Sequence, residues 1–221
     1  MTQTHRPVIL AAGRSTRFGG DRPKCLAEVA EKPLLMHSLE ALARVGFKAA
    51  TIVVGNHGAE IRDWLARDRP PLTTSLIWNE DNRRPSIHSF HCAYPELTSG
   101  ALLIESDLIY DHRIVDALID HAKPNAVCVT PRRNAKPFYV QTDENGRVER
   151  WGYDLTADRE LVGIYKLSQD AVEEMMGMEG VEYWDPMLSL KDGLFCRECD
   201  FMWNEVDTLD ELEDARRDWS A

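Results

Sequence analysis

Residues 8–12, Val-Ile-Leu-Ala-Ala, make an apolar run of strand character that breaks at Gly13 into a turn carrying Arg14, Ser15, Thr16, Arg17, Arg22, Pro23 and Lys24. A buried strand closed by a glycine and a cluster of cations narrows the possible folds more than any other stretch of the chain. The glycine lets backbone approach a ligand closely, the hydroxyls add donors, and the arginines and lysine ask for an anion. The turn reads as a triphosphate cradle, but not as either of the better-known phosphate loops. A Walker A loop needs Lys-Ser/Thr after its last glycine, and none follows Gly19 or Gly20; a dinucleotide fingerprint needs Gly-x-Gly, and Gly13 is followed by Arg-Ser. The bland alternative is a strand-to-loop turn with surface arginines.

The same strand opens a long alternation. Residues 33–45 place Leu34, Leu35, Leu39, Leu42 and Val45 at helical spacing and stop at Gly46. Strands are expected at 49–54, 75–78, 101–105 and 126–130, with helices at 59–67, 86–94 and 111–121 between them. Such a βαβ rhythm predicts an α/β fold, a doubly wound and mostly parallel sheet. From Pro137 the pattern changes to short strands at 138–142, 148–150 and 161–166, helices at 168–176 and 185–190, a strand-like stretch at 194–202 and a last helix at 209–219. That later half reads as a substrate-side elaboration. One domain over 1–221 is expected, with a nucleotide-binding half at about 1–135 and an acceptor-binding half at about 136–221; 221 residues at 43% hydrophobic content suit one sizeable core.

A net charge of −11 argues against a broad basic face for nucleic acid, so a polyanionic partner must be met locally, at the opening turn. No run approaches a membrane span, and a soluble, cytoplasmic protein without a membrane partner is expected. Oligomeric state is open, a homodimer included. Five cysteines form an odd set with no secretory framework, and Cys196-x-x-Cys199 lacks a second pair, so structural thiols outweigh zinc or redox chemistry. His88 and His91 fall three apart with no third ligand, and a structural role is the better reading.

Two acids suit a magnesium ion. Asp107 ends the strand at 101–105 and should project at the carboxyl edge of the sheet, and Asp207 lies where a strand gives way to the final helix. Taken alone, Asp107 reads equally as a turn residue and Asp207 as an N-cap ahead of Thr208. Late aromatics at Phe138, Tyr139, Trp151, Tyr153, Tyr165, Tyr183, Trp184 and Trp203, with Asp185 among them, suit an ammonium group, although any one of them taken singly reads better as core. Arg132, Arg133 and Lys136 follow a strand end and are candidates for gripping an acceptor's phosphate or phosphonate.

The pattern Leu10-Ala11-Ala12-Gly13-x-Ser15-x-Arg17, followed by Pro23-Lys24, resembles the signature of nucleotidyltransferases that join an NTP to a phosphorylated metabolite and release pyrophosphate. Within that family, Tyr183-Trp184-Asp185-Pro186-Met187 and Asn204-Glu205-Val206-Asp207-Thr208 look like segments of the phosphocholine and 2-aminoethylphosphonate cytidylyltransferases. The resemblance implies a Rossmann-like, GT-A-like fold and Mg²⁺ on Asp107 and Asp207, with Glu205 as a further ligand. It implies nucleotide contacts from Leu10, Ala11, Ala12, Gly13, Arg14, Ser15, Arg17, Lys24, Ser86, Ser89 and Ser106, with Lys24 at the α-phosphate and Arg17 on the departing pyrophosphate. It implies acceptor contacts from Phe138, Tyr183, Trp184 and Asp185, and CTP as donor. Two departures matter. Residues 151–154, Trp-Gly-Tyr-Asp, lack the Glu-Lys-Pro with which hexose-1-phosphate members grip a sugar phosphate, and Pro85-Ser86-Ile87-His88-Ser89 replaces the Asn-Asn-x-x-Ser beside the base in the phosphocholine enzymes. A sugar-1-phosphate or polyol-phosphate acceptor is the serious competitor, and a non-catalytic nucleotide-binding protein the rival from another class.

Overall fold

The structure is a computed structural model that describes residues 5–15, 18, 22–81, 83–134 and 136–220. The opening apolar run forms β1 (Arg6–Ala11), an interior strand of a sheet that has nine strands among the described residues. Parallel neighbours β4 (Ala49–Val54) and β6 (Ala101–Glu105) flank it, and β5 (Thr73–Trp78) lies parallel outside β4. Beyond β6 the sheet turns antiparallel through β11 (Arg159–Leu167), which pairs β6, β8 (Ala126–Pro131) and β9 (Tyr139–Thr142). β10 (Val148–Gly152) extends β9, and β12 (Phe195–Glu198) lies parallel to β8.

Alternation along the strands sorts the core into two layers, as a period of two requires when both faces are covered. Ile9, Ile52, Leu102 and Ile104 face α1 (Leu34–Val45), α2 (Gly58–Asp68) and α4 (Arg113–Ile119), meeting Leu39, Leu42, Ile61 and Ile114. Val8, Val53, Leu103 and Tyr165 face α3 (Ile87–Ala93) and α5 (Gln169–Met176), meeting Phe90 and Val172. α1 ends where Gly46 takes φ 105° and its N–H returns to the carbonyl of Ala43 at 3.1 Å, a backbone state that costs a side chain heavily.

The expected strand at 101–105 is observed at those bounds, and β1, β4, β5 and β8 lie within two residues of theirs, while the stretch expected at 194–202 narrows to β12. The helix expected at 111–121 is shorter. The Asp111 carboxylate accepts the N–H of Arg113 at 2.9 Å, so Asp111 makes a turn ahead of α4 rather than joining it. The helix expected at 185–190 is a 3-10 turn, Asp185–Ser189, with Pro186 in its first turn. Three short strands carried no periodic signal: β2 (Glu28–Val29) and β3 (Lys32–Pro33), which pair as a hairpin, and β7 (Leu108–Tyr110), which pairs antiparallel with β13 (Trp203–Glu205). A third cluster, with Val29, Leu34, Ile109 and Val206, seats α6 (Leu209–Asp218) through Leu212 and Ala215.

All five cysteines are free thiols, with Cys25, Cys128 and Cys199 buried. His88 Nδ1 lies 2.9 Å from Asn79 Oδ1 and His91 Nε2 lies 3.2 Å from the Met175 carbonyl, which gives both rings packing roles. Among the described residues no helix is long and apolar enough to cross a membrane.

Candidate active site

β1 and β6 run parallel, so their carboxyl ends open on the same edge of the sheet, where open α/β folds bind ligands. β6 delivers Glu105, Ser106 and Asp107. The β7–β13 pair then carries the chain tail back to the same place: Glu205 pairs with Leu108, and the N–H of Val206 reaches the Asp107 carbonyl at 2.9 Å. A two-strand ribbon is what brings Asp107 and Asp207 together across 100 residues of sequence. Asp207 is not the helix cap. Thr208 is, its hydroxyl accepting from Glu211 N at 3.3 Å while the Glu211 carboxylate returns to Thr208 N at 2.8 Å.

Lys24 opens a one-turn 3-10 helix, Lys24–Leu26, and its N–H donates to Ser15 Oγ at 3.1 Å. Ser15 sits at φ 51°, a left-handed backbone that few L residues adopt, so the turn is bent to hold Lys24. The Lys24 ammonium lies 2.5 Å from Asp107 Oδ2 and also pairs with Asp207 Oδ1. Burial works against this ammonium, but the two carboxylates outweigh it and raise its pKa.

Glu105, Asp107 and Glu205 each place a carboxylate oxygen within 4.8 Å of the others. Burial and the charge of Asp107 push the Glu105 carboxyl up to about 7, against hydrogen bonds from Tyr183, whose hydroxyl donates to Glu105 Oε1, and from Tyr165 at 3.3 Å. Burial and the neighbouring acids likewise hold Glu205 well above the usual carboxylate range. β11 makes room for this cluster with Gly163 at φ 80°, where a Cβ would lie 2.6 Å from Glu105 Oε2. The donor set fits a divalent cation. It is all oxygen, and Asp107 Oδ1 is buried with no hydrogen-bond partner among the described residues, an acceptor left open beside two further acids.

A cavity of about 540 Å³ runs from this cluster to the aromatic segments, and a second of about 230 Å³ adjoins it along the opening turn. Leu10, Gly13, Arg14, Lys24, Ser106, Asp107 and Asp207 line both, Ala12 the first, and Ala11 and Ser15 the second. A Cβ on Gly13 would meet no atom of the described residues within 4 Å and would take up ligand space instead. Arg17 lies outside the described residues. Ser86 and Ser89 line the larger cavity on the side of α3. Ser89 Oγ accepts from Asn79 Nδ2 at 2.9 Å, which leaves its own proton to donate.

The aromatic end is made by Phe138, Tyr153, Tyr183 and Trp184. Phe138 meets Tyr153 edge-on at 5.0 Å and Trp184 at 6.2 Å, and Tyr183 packs on Trp184 at 5.0 Å. Asp185 is not in this wall. Its carboxylate is exposed and turned back to accept Glu182 N at 2.9 Å, which caps its own turn. The acid that lines the cavity at this aromatic end is Glu182, whose Oε2 accepts from the backbone and hydroxyl of Ser86. Arg132, Arg133 and Lys136 do not line either cavity. Arg133 pairs with Asp200 and donates to the Phe201 carbonyl at 3.1 Å, and Arg132 lies over the Tyr139 ring at 5.8 Å. Arg83 and Arg84 are the cations facing the larger cavity beyond the opening turn. Glu105, Asn79, Arg83, Arg84 and Glu182 also line the larger cavity, beyond the residues expected from the sequence. The signals available were a carboxylate closing an apolar strand, the arginine pair ahead of Pro85, and an acid directly before Tyr183.

This fold, with its nucleotide-sized cleft at the parallel strand ends and its acid cluster facing a lysine turn, defines a nucleotidyltransferase architecture. The MobA-like NTP transferase domain matches residues 7–183, and the chain belongs to that family. It is 29% identical over 167 residues, 72% of this chain and 26% of the relative, to CMP-5'-(3-aminopropyl)phosphonate synthase of Streptomyces rubellomurinus. It is 25% identical over 228 residues, 96% of this chain and 50% of the relative, to the bifunctional IPC transferase and DIPP synthase of Thermococcus kodakarensis. The chain thus spans between a quarter and a half of these curated relatives. Among solved structures, CTP:phosphocholine cytidylyltransferase from Streptococcus pneumoniae shares the fold at TM-score 0.76 and 20% identity, covering 96% of this chain and 97% of that one. The inositol-1-phosphate CTP transferase from T. maritima does so at 0.82 and 14%, covering 99% and 98%.

Proposed function

We propose that this protein transfers a cytidylyl group from CTP to a small phosphorylated or phosphonylated amino alcohol, of the phosphocholine or 2-aminoethylphosphonate type, and releases pyrophosphate. One observation carries the reading: a single cavity joins the Lys24, Asp107 and Asp207 cluster to a wall of Phe138, Tyr153 and Trp184 beside Glu182. Ring faces next to a carboxylate attract an ammonium and offer little to a neutral polyol. The two relatives whose names mention an aminopropylphosphonate product and phosphocholine support the same class of acceptor.

In the reaction an acceptor phosphate or phosphonate oxygen attacks the α-phosphorus of CTP, and the bond to the β-phosphate oxygen breaks to free pyrophosphate. A phosphate monoester is largely dianionic at neutral pH, its second pKa being about 6, so a phosphate acceptor needs no general base. Asp107, Asp207 and Glu205, with Glu105 beside them, would hold Mg²⁺, which when bound neutralises charge on the reacting phosphates. Lys24 supplies a cation at the α-phosphate, Arg14 and the backbone after Gly13 face the departing phosphates, and Ser86 and Ser89 face the nucleoside. Arg17 belongs with the pyrophosphate on motif resemblance. On this reading residues 1–135 form the nucleotide half and 136–221 the acceptor half, with Asp207 returned to the reaction centre by the tail. Free thiols suit a reducing, cytoplasmic setting.

A pyrophosphate-release screen crossing four NTPs with phosphocholine, 2-aminoethylphosphonate, phosphoethanolamine, glucose 1-phosphate and a polyol phosphate tests the proposal. Turnover should concentrate on CTP with a nitrogen-bearing acceptor. Preference for a sugar or polyol phosphate would overturn the acceptor assignment.

A further inference from the structure

The ammonium of Lys24 stands where the acid pair needs a cation. Asp107 and Asp207 are partly buried, with side chains 17% and 14% exposed, and both contact Lys24 Nζ. Two such carboxylates, brought to one ammonium by the β7–β13 ribbon, repel each other. Glu105 and Glu205 bring two further carboxyl groups within 4.8 Å of Asp107. Lys24 offsets part of the repulsion, but one ammonium cannot serve every oxygen: Asp107 Oδ1 stays buried without a partner among the described residues. A divalent cation held by Asp107 and Asp207 would compete with Lys24 for the two carboxylates and would repel its ammonium.

We infer that Lys24 is a positioning residue that stands in for the metal ion: without nucleotide it holds Asp107 and Asp207 in place and keeps a divalent cation out. The backbone of Lys24 is tied down, its N–H on Ser15 Oγ at 3.1 Å and its carbonyl on Ala27 N at 2.9 Å, so the exchange needs only the side chain to swing. Lys24 lines both cavities, and a triphosphate in the smaller one offers its ammonium a new anion. A triphosphate that draws Lys24 away therefore raises metal affinity, and metal raises triphosphate affinity by the same factor. The inference rests on the proposed nucleotidyl transfer only for the identity of that anion. The competition between Lys24 and metal does not depend on the acceptor or the base.

Mn²⁺ binding to the nucleotide-free protein, followed by loss of the free-ion EPR signal, tests it. Lys24→Met should bind Mn²⁺ at least about tenfold more tightly than the wild type, and Lys24→Arg, which keeps the charge, should stay near wild type. An ion pair that is only structural gives the opposite sign, because its loss disorganises the acids. Unchanged or weaker binding in Lys24→Met overturns the inference. Should that variant fail to fold, the wild type decides: Mn²⁺ alone should increase acylation of Lys24 by an amine-reactive ester severalfold, read by mass spectrometry, and labelling indifferent to Mn²⁺ overturns the inference. A failed acceptor screen beside a positive Mn²⁺ result would remove the proposed function and leave this competition standing.

Discussion

The two ends of the cavity are built by different means. At the acid end the charged groups are fixed through backbone pairing: Val206 N on the Asp107 carbonyl, Glu205 in register with Leu108, Lys24 N on Ser15. At the aromatic end the wall comes from segments outside the parallel strands, and it is held by ring packing and by the grip of Glu182 on Ser86. A sheet edge can hold carboxylates to a fixed spacing, as transfer chemistry demands. A wall of side chains on irregular backbone can change its selectivity without disturbing that spacing. On the proposed reading, substitutions at the acid end lower kcat, and substitutions at the aromatic end alter which acceptor is used.

The largest effects should fall at the acid end. Asp107→Asn and Asp207→Asn should each lower kcat by two to three orders of magnitude or so while the circular dichroism spectrum and melting temperature hold, and the double variant should be little worse than either single one. Additive losses would mean that the two acids act separately. Lys24→Ala should cost roughly 2.7–4 kcal/mol in kcat, with a smaller change in CTP affinity measured by calorimetry.

At the aromatic end, Glu182→Gln keeps an acceptor for the Ser86 N–H but removes the charge. It should raise KM for an aminoalkyl phosphonate about tenfold with KM for CTP nearly unchanged, while Asp185→Asn leaves both alone. A large Asp185 effect would restore that residue to the pocket.

A third comparison uses pH. Glu105 has a folded pKa of about 7 against an ordinary 4.5, so the native state keeps a proton that the unfolded chain has lost. The stability this contributes is present in full below about 4.5 and is lost as pH rises to about 7, and burial of Glu205 acts in the same direction. The melting temperature of the metal-free protein should fall across that window, and Mg²⁺, which prefers ionised oxygens, should restore it most strongly at the upper end. The smallest effect belongs outside the cavity: Thr208→Ala removes the cap of α6 and should cost about 1 kcal/mol of stability with little change in turnover.

Most of the parallel half was legible in the sequence because its signals are local. β1 and β6 are unbroken apolar runs, α1 has a clean helical period, and Asp107 follows directly from where β6 ends. What stayed hidden depends on contacts between distant segments. β7 is three residues long, too short for a period, yet its pairing with β13, the strand expected before Asp207, brings Asp107 and Asp207 together. The exchange of Asp185 for Glu182 has the same origin. Both acids flank Tyr183-Trp184, and only the turn geometry, with Asp185 capping Glu182 N, decides which one faces the cavity. Arg133 likewise follows a strand that ends at the ligand edge, but Asp200 on the neighbouring segment captures its guanidinium.

The central claim is that one cavity joins transfer chemistry to recognition of an amine, and it is tested most directly by removing only the amine. Steady-state kinetics with CTP would compare 2-aminoethylphosphonate with ethylphosphonate, which offers the same attacking oxygen and no nitrogen. Ethylphosphonate should lose at least about tenfold in kcat/KM, worth about 1.4 kcal/mol, and the gap should close in Glu182→Gln. Equal kcat/KM for the two acceptors in the wild type would contradict that claim.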